Sequence, residues 1–105
     1  MAIWKRQATP EQLNARIADT APGLFGIRIT AINPDSLVAE MPVEARHLQP
    51  QGILHGGVSV VLAETVGTLA TILALPPGQR AVGLEINANH VAAVKPGQVV
   101  TATCT

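Results

Sequence analysis

Residues 54–75 read LHGGVSVVLAETVGTLATILAL. The run contains one acid, Glu64, one histidine, His55, and no Lys or Arg. An apolar stretch of this length is long enough to cross a bilayer as a helix. The carboxylate near its centre argues against that, because at mid-membrane it costs roughly 2.5–3.5 kcal/mol even on a lenient insertion scale. No basic residue immediately flanks either end, and the rest of the chain reads as amphipathic strands that need a surface to pack on. The run is therefore expected to be a core helix buried nearly all round, with no membrane partner.

Composition narrows the setting. Hydrophobic residues make up 48% of the 105, while aromatics are only 2% (Trp4 and Phe25), so the core must be aliphatic. The length allows one domain. Formal net charge is zero and no Lys/Arg run occurs, which excludes the clustered positive charge that nucleic-acid binding needs. The single cysteine, Cys104, rules out an internal disulfide and a Cys-based zinc site, and fits a reducing cytoplasm. The N-terminal MAIWKRQATPEQ has two basic residues with no apolar core after them, unlike a signal peptide.

Thr9-Pro10-Glu11-Gln12 carries a helix-start pattern, with Thr9 as cap and Gln12 at the capping-box position. That helix is expected to run to about Asp19 and to stop at Ala21-Pro22-Gly23. Gly26–Ile32 and Leu37–Val43 read as two strands around the turn Asn33-Pro34-Asp35-Ser36, a hairpin. A polar loop, Glu44–Gly52, leads into the long helix, and Pro76-Pro77-Gly78 ends it. Ala81–Val94 alternates and is expected to be a long strand, with Val82, Leu84, Ile86 and Ala88 on one face and Glu85, Asn87 and Asn89 on the other. Lys95-Pro96-Gly97-Gln98 is a turn, and Val99–Thr105 begins another strand. Helix, two strands, long helix and two strands suggest an α+β fold, an antiparallel sheet curved around one central helix. Two further strands would be needed to cover that helix, so the chain is expected to be a single domain over residues 1–105, truncated at its C-terminus and lacking the last strands.

An acid on a buried helix is costly unless it is paired or used. No cation lies at helical spacing from Glu64; Thr68 is one turn on, with small Gly67 beside it. A carboxylate in such a notch is expected to be poorly solvated and able to act as a base or nucleophile. The alternative is that Glu64 only bonds a nearby backbone group. His55-Gly56-Gly57 opens the helix with two glycines, each about 1 kcal/mol worse than Ala in a helix. They suit a close approach to the backbone, where free N–H groups can polarise a carbonyl; a tight turn with a capping histidine explains them equally. His55 and Glu64 lie nine residues apart, roughly 13 Å along one helix, too far to reach one carbonyl. If both act on one substrate, they come from two subunits with antiparallel helices. Gln49 or Gln51, in the preceding loop, offers an amide near the same helix end. His47 and His90 complete the histidines. Three histidines without a carboxylate cluster make no metal site, and no phosphate loop or nucleophile elbow is present.

Taken together, QPQGILHGGVSVVLAETVGTLA and VGLEINANHV resemble the hotdog-fold acyl-CoA thioesterases, most closely the Glu-dependent branch that acts on aryl-CoA substrates such as 4-hydroxybenzoyl-CoA and 1,4-dihydroxy-2-naphthoyl-CoA. The resemblance implies hydrolysis of an acyl-CoA thioester to free acid and CoA without metal or other cofactor. It implies catalytic roles for Gln49, His55, Gly56, Glu64 and Thr68, with Gly56 N–H on the carbonyl and Thr68 holding water. It places His90, with Asn89, and the Gly57 of the HGG motif at the substrate. It also implies a homodimer or tetramer, with Gln49, His55 and Gly56 from one chain and Glu64 and Thr68 from the other. The competing expectation is a non-catalytic, truncated acyl-binding module. A hotdog dehydratase is disfavoured by the HGG-to-Glu spacing.

Overall fold

The computed structural model describes residues 2–105. The helix α1 spans Pro10–Ile17 and starts as its sequence requires: the Gln12 N–H donates to Thr9 Oγ1 (3.2 Å), and the Thr9 N–H donates to Gln12 Oε1 (3.0 Å). Its Leu13 and Ile17 turn inward. Ala21–Leu24, expected only to stop the helix, coils into a further single turn, α2, with Pro22 in its first positions, where a missing N–H costs nothing.

The hairpin forms as expected from β1 (Arg28–Ile32) and β2 (Leu37–Pro42), with Arg28 opposite Glu40 and Ile32 opposite Leu37. A register irregularity falls between Ile29 and Ala31. On the open edge of β1, Asn14 of α1 takes the place of a neighbouring strand. Its Oδ1 accepts from the Ile29 N–H (2.7 Å) and its Nδ2 donates to the Ile29 carbonyl (3.0 Å). That contact satisfies an edge that would otherwise invite pairing with another chain. β3 (Val99–Cys104) joins β2 on the other side, giving an antiparallel sheet in the order β1-β2-β3.

The long helix, α3, spans Gly56–Ala74 and packs across β2 and β3. Leu62, Val66, Leu69, Ala70 and Leu73 are buried on one side of it. They meet Leu37, Ala39 and Met41, the inward face of β2, each with no exposed surface. The core is aliphatic, as the composition requires. The expectation of a helix buried all round is corrected: α3 has one buried stripe, and Ala63, Glu64 and Thr71 lie exposed on the opposite side. A helix resting on a single sheet has only one face to cover.

The expected strand Ala81–Val94 is also corrected. Among the described residues this segment has no regular secondary structure, and its first backbone bond to another part of the chain is at Val94, whose carbonyl accepts from the Leu54 N–H (2.8 Å). Alternation supplies a strand's faces, but a strand also needs a neighbour for its N–H and C=O groups, and none lies alongside. Val82, Leu84 and Val91 are 88%, 99% and 92% exposed.

Candidate active site

The start of α3 is built by histidines. His47 is fully buried in the short 3₁₀ turn Ala45–His47; its Nδ1 accepts from the Glu44 N–H (2.9 Å) and its Nε2–H donates to the Phe25 carbonyl (2.6 Å). Both ring nitrogens are used on backbone groups, so His47 is structural. Its own carbonyl accepts the His55 N–H (2.8 Å), which fixes where α3 begins.

His55 is the N-cap of α3. Its Nδ1 accepts from the Gly57 N–H (2.9 Å), and its carbonyl accepts from the N–H groups of Val58 (3.0 Å) and Ser59 (3.3 Å). The capping reading of this residue is therefore correct as far as it goes. Because Nδ1 accepts, the remaining proton sits on Nε2, which is left to donate. Three of the four first-turn donors are thus taken by one residue. Among the described residues the fourth, the Gly56 N–H, has no acceptor. It stands at the positive end of a 19-residue helix.

The two glycines have separate reasons. A Cβ on Gly56 would stand 2.7 Å from His90 Nε2, and one on Gly57 would stand 2.9 Å from His55 Cε1. Each glycine makes room for an imidazole ring. Gln49, Gly56, Ser59 and His90 share the wall of one hollow of about 410 Å³. Gln49 and Gln51, alternatives from sequence, bond to each other: Gln49 Oε1 accepts from the Gln51 N–H and Gln49 Nε2 donates to Gln51 Oε1 (3.3 Å). Only Gln49 lines the hollow. Gly57 is not on its wall, and neither is Asn89, which is exposed. His90 is exposed, with its ring against Gly56.

Glu64 and Thr68 lie further along α3 and are brought together one turn apart. They border an apolar hollow with Ile17, Pro22, Val60, Val61 and Leu69, and a second one with Gly67, Gly83, Ile86 and Cys104. Glu64 is exposed, so the poor solvation expected of it is not a property of the single chain. A Cβ on Gly67 would meet nothing within 4 Å. Sequence reading missed Gly83, whose backbone lies against the Glu64 carboxylate: a Cβ there would stand 3.1 Å from Oε2. The signal was present, as a glycine interrupting an alternating stretch. Among the described residues no cluster of His, Cys, Asp and Glu has the makings of a metal site.

The family model for the thioesterase superfamily matches residues 51–105, the half that carries the HGG cap, Glu64 and the segment over it. The chain belongs to this superfamily. It is 50% identical over 97 residues to the 1,4-dihydroxy-2-naphthoyl-CoA hydrolase of Escherichia coli, covering 92% of this chain and 71% of that protein. A thioesterase of Haemophilus influenzae superposes with a TM-score of 0.92 at 48% identity, over 96% of this chain and 70% of that one. Two structures of a Staphylococcus aureus protein (TM-score 0.73, 36% and 35% identity, 78% of this chain and 68% of that one) carry alanine for a glutamate and for a glutamine fifteen residues before it, the separation of Gln49 and Glu64 here. This thioesterase therefore has the hotdog fold expected for it, with the long helix against the antiparallel sheet.

Proposed function

We propose that this thioesterase hydrolyses aryl-CoA thioesters, R–CO–S–CoA plus water giving R–COOH plus CoA–SH, with 1,4-dihydroxy-2-naphthoyl-CoA as the leading substrate. The observation that carries the reading is the Gly56 N–H, the one first-turn donor that the His55 cap leaves free, at the end of α3 and on a hollow shared with Gln49 and His90. A carbonyl oxygen bound there gains negative charge as the thioester is attacked, and the N–H and the helix end stabilise it. The His55 Nε2–H and the Gln49 amide orient the thioester. Glu64 supplies the attack, either on the carbonyl carbon itself or by taking a proton from a water held by Thr68. The superfamily membership and the name of the Escherichia coli relative support the thioester and the aryl group.

Gly56 and Glu64 are eight residues apart on one helix, roughly 12 Å. One carbonyl cannot touch both, so the site is completed by a second copy, with Gly56 from one chain and Glu64 from the other. The exposed apolar residues Val82, Leu84 and Val91, on a segment without a pairing partner, support an association of copies through that segment. The lone, half-buried Cys104 fits a reducing, cytoplasmic setting.

The test is thiol release from a panel of aryl- and fatty acyl-CoAs, wild type beside Glu64→Ala. Loss of at least about a hundredfold in turnover is expected of a base or nucleophile. Wild-type-like turnover in that variant removes Glu64 from the mechanism.

A further inference from the structure

The N-terminal segment before α1 is tied across the molecule. The Ile3 N–H donates to the Pro34 carbonyl (2.9 Å), Trp4 Nε1–H to the Asn33 carbonyl (2.7 Å), and the Lys5 and Arg6 N–H groups to the Leu73 carbonyl (2.8 and 3.2 Å). The strap thus joins the hairpin turn to the last turn of α3. Arg6 does more. The Arg6 guanidinium donates to three carbonyls in the chain leaving α3: Leu75 (3.2 Å from Nε), Pro76 (2.9 Å from Nη2) and Gln79. Hydrogen bonds from a charged donor are stronger than neutral ones, and a cation is favoured at a helix C-terminus.

Those carbonyls belong to the turn that launches residues 80–86. The turn is closed by the Gln79 N–H on the Pro76 carbonyl (3.2 Å) and reverses at Gly78, with φ +92°. Gly83 lies four positions after Gln79, a tether of at most about 14 Å when fully extended. Gly83 is the point where this segment meets the Glu64 carboxylate. Ala81, Val82, Glu85 and Ile86 line the same hollow as Glu64 and Thr68.

We propose that Arg6 is a positioning residue: by clamping the turn after α3 it fixes where Gly83 lies over Glu64, and so fixes the carboxylate. The proposal rests on the hydrolase reading for the role of Glu64, but the clamp itself does not. Arg6 touches neither Glu64 nor the hollow beside it. Its effect passes through the tether, which separates this role from that of a group meeting substrate.

The experiment measures kcat and KM for benzoyl-CoA, and backbone order parameters of residues 79–86 by NMR, in the full chain. Wild type is compared with Arg6→Ala, Arg6→Lys, Gly83→Ala and the double variant Arg6→Ala/Gly83→Ala. Arg6→Ala is expected to lower kcat about tenfold with KM within about twofold, since small misplacement of a reacting group costs rate more than binding. Order parameters at residues 79–86 are expected to fall while those of α3 hold. Arg6→Lys, which keeps the charge but cannot span three carbonyls, is expected to fall between. Gly83→Ala is expected to lower kcat on its own, and the double variant to lose less than the product of the two single losses, because both act through one segment. Wild-type kcat in folded Arg6→Ala, unchanged order parameters, or losses that simply multiply would each overturn the proposal. Should Arg6→Ala fail to fold, Arg6→Gln, which keeps donors without charge, carries the same measurements. No thiol release from wild type would instead count against the hydrolase reading, and the order parameters would then decide whether Arg6 holds the segment.

Discussion

Two stretches of this chain alternate apolar and polar residues, and only one is a strand. In β2, Leu37, Ala39 and Met41 are fully buried while Val38 and Glu40 face partly outward. In Ala81–Val94 the alternation is as regular up to Asn89, yet Leu84 is 99% exposed and no ladder forms. The difference is not propensity. β2 lies between β1 and β3, so its N–H and C=O groups are paired on both edges and its apolar face meets α3. Among the described residues the later segment has no strand paired with it, and it meets α3 at Gly83 while Val82, Leu84 and Val91 stay exposed. Alternation records which face a strand will bury; pairing decides whether it is a strand. A segment that has the first without the second is suited to receive the second from another copy.

The sharpest break of that comparison is Val82→Asp with Leu84→Asp. If the segment associates with a second copy, these charges are expected to leave a monomer by sedimentation and to cut thiol release at least about a hundredfold, since the acid and the free N–H then belong to separated chains. Retained association and activity would place the interface elsewhere. Next in size is Met41→Ala, expected to cost about 2–5 kcal/mol in urea unfolding because it opens a cavity in a packed core. Leu84→Ala, the matched change in the other segment, should alter the unfolding of the isolated chain by about 0.5 kcal/mol or less while weakening association. Asn14→Ala, which strips the substitute neighbour from β1, is expected to cost about 1–3 kcal/mol by leaving the Ile29 backbone groups unpaired. A similarly small effect on stability is expected at the exposed Arg28–Glu40 pair (3.3 Å, side chains 67% and 37% exposed), where Arg28→Ala should change it by about 0.5 kcal/mol or less and fade further in salt.

The candidate site shows a similar division between what residue types reveal and what placement adds. The Thr9 capping box, the stop at Pro76-Pro77 and the hairpin turn at Asn33–Ser36 were legible because they depend on residues within four positions of one another. The HGG cap was legible as a place of close approach, but two imidazoles, His55 and His90, are what approach, and His90 arrives from 34 residues away. Glu64 was legible as an unpaired acid on an apolar helix. Its exposure was not, because the helix's hydrophobicity says how much surface wants cover and not what supplies it. The contacts of Gly83 with Glu64 and of Arg6 with the turn after α3 span 19 and about 70 residues, and no periodicity encodes them.

By itself, then, the sequence determined the elements that answer to local rules: where α1 and α3 start, where α3 stops, which face of β2 is apolar, and that one carboxylate sits on an otherwise apolar helix nine residues from a histidine. From that spacing alone, roughly 13 Å on a helix, it also followed that the two groups cannot share a carbonyl within one chain. Only the tertiary structure decided which first-turn N–H stays free, which glycine faces which ring, that α3 has one buried side, and that residues 81–93 form no ladder among the described residues. The reason is physical: capping and turns are settled within a few residues, whereas burial, pairing and close approach depend on which distant atoms fill the neighbouring space.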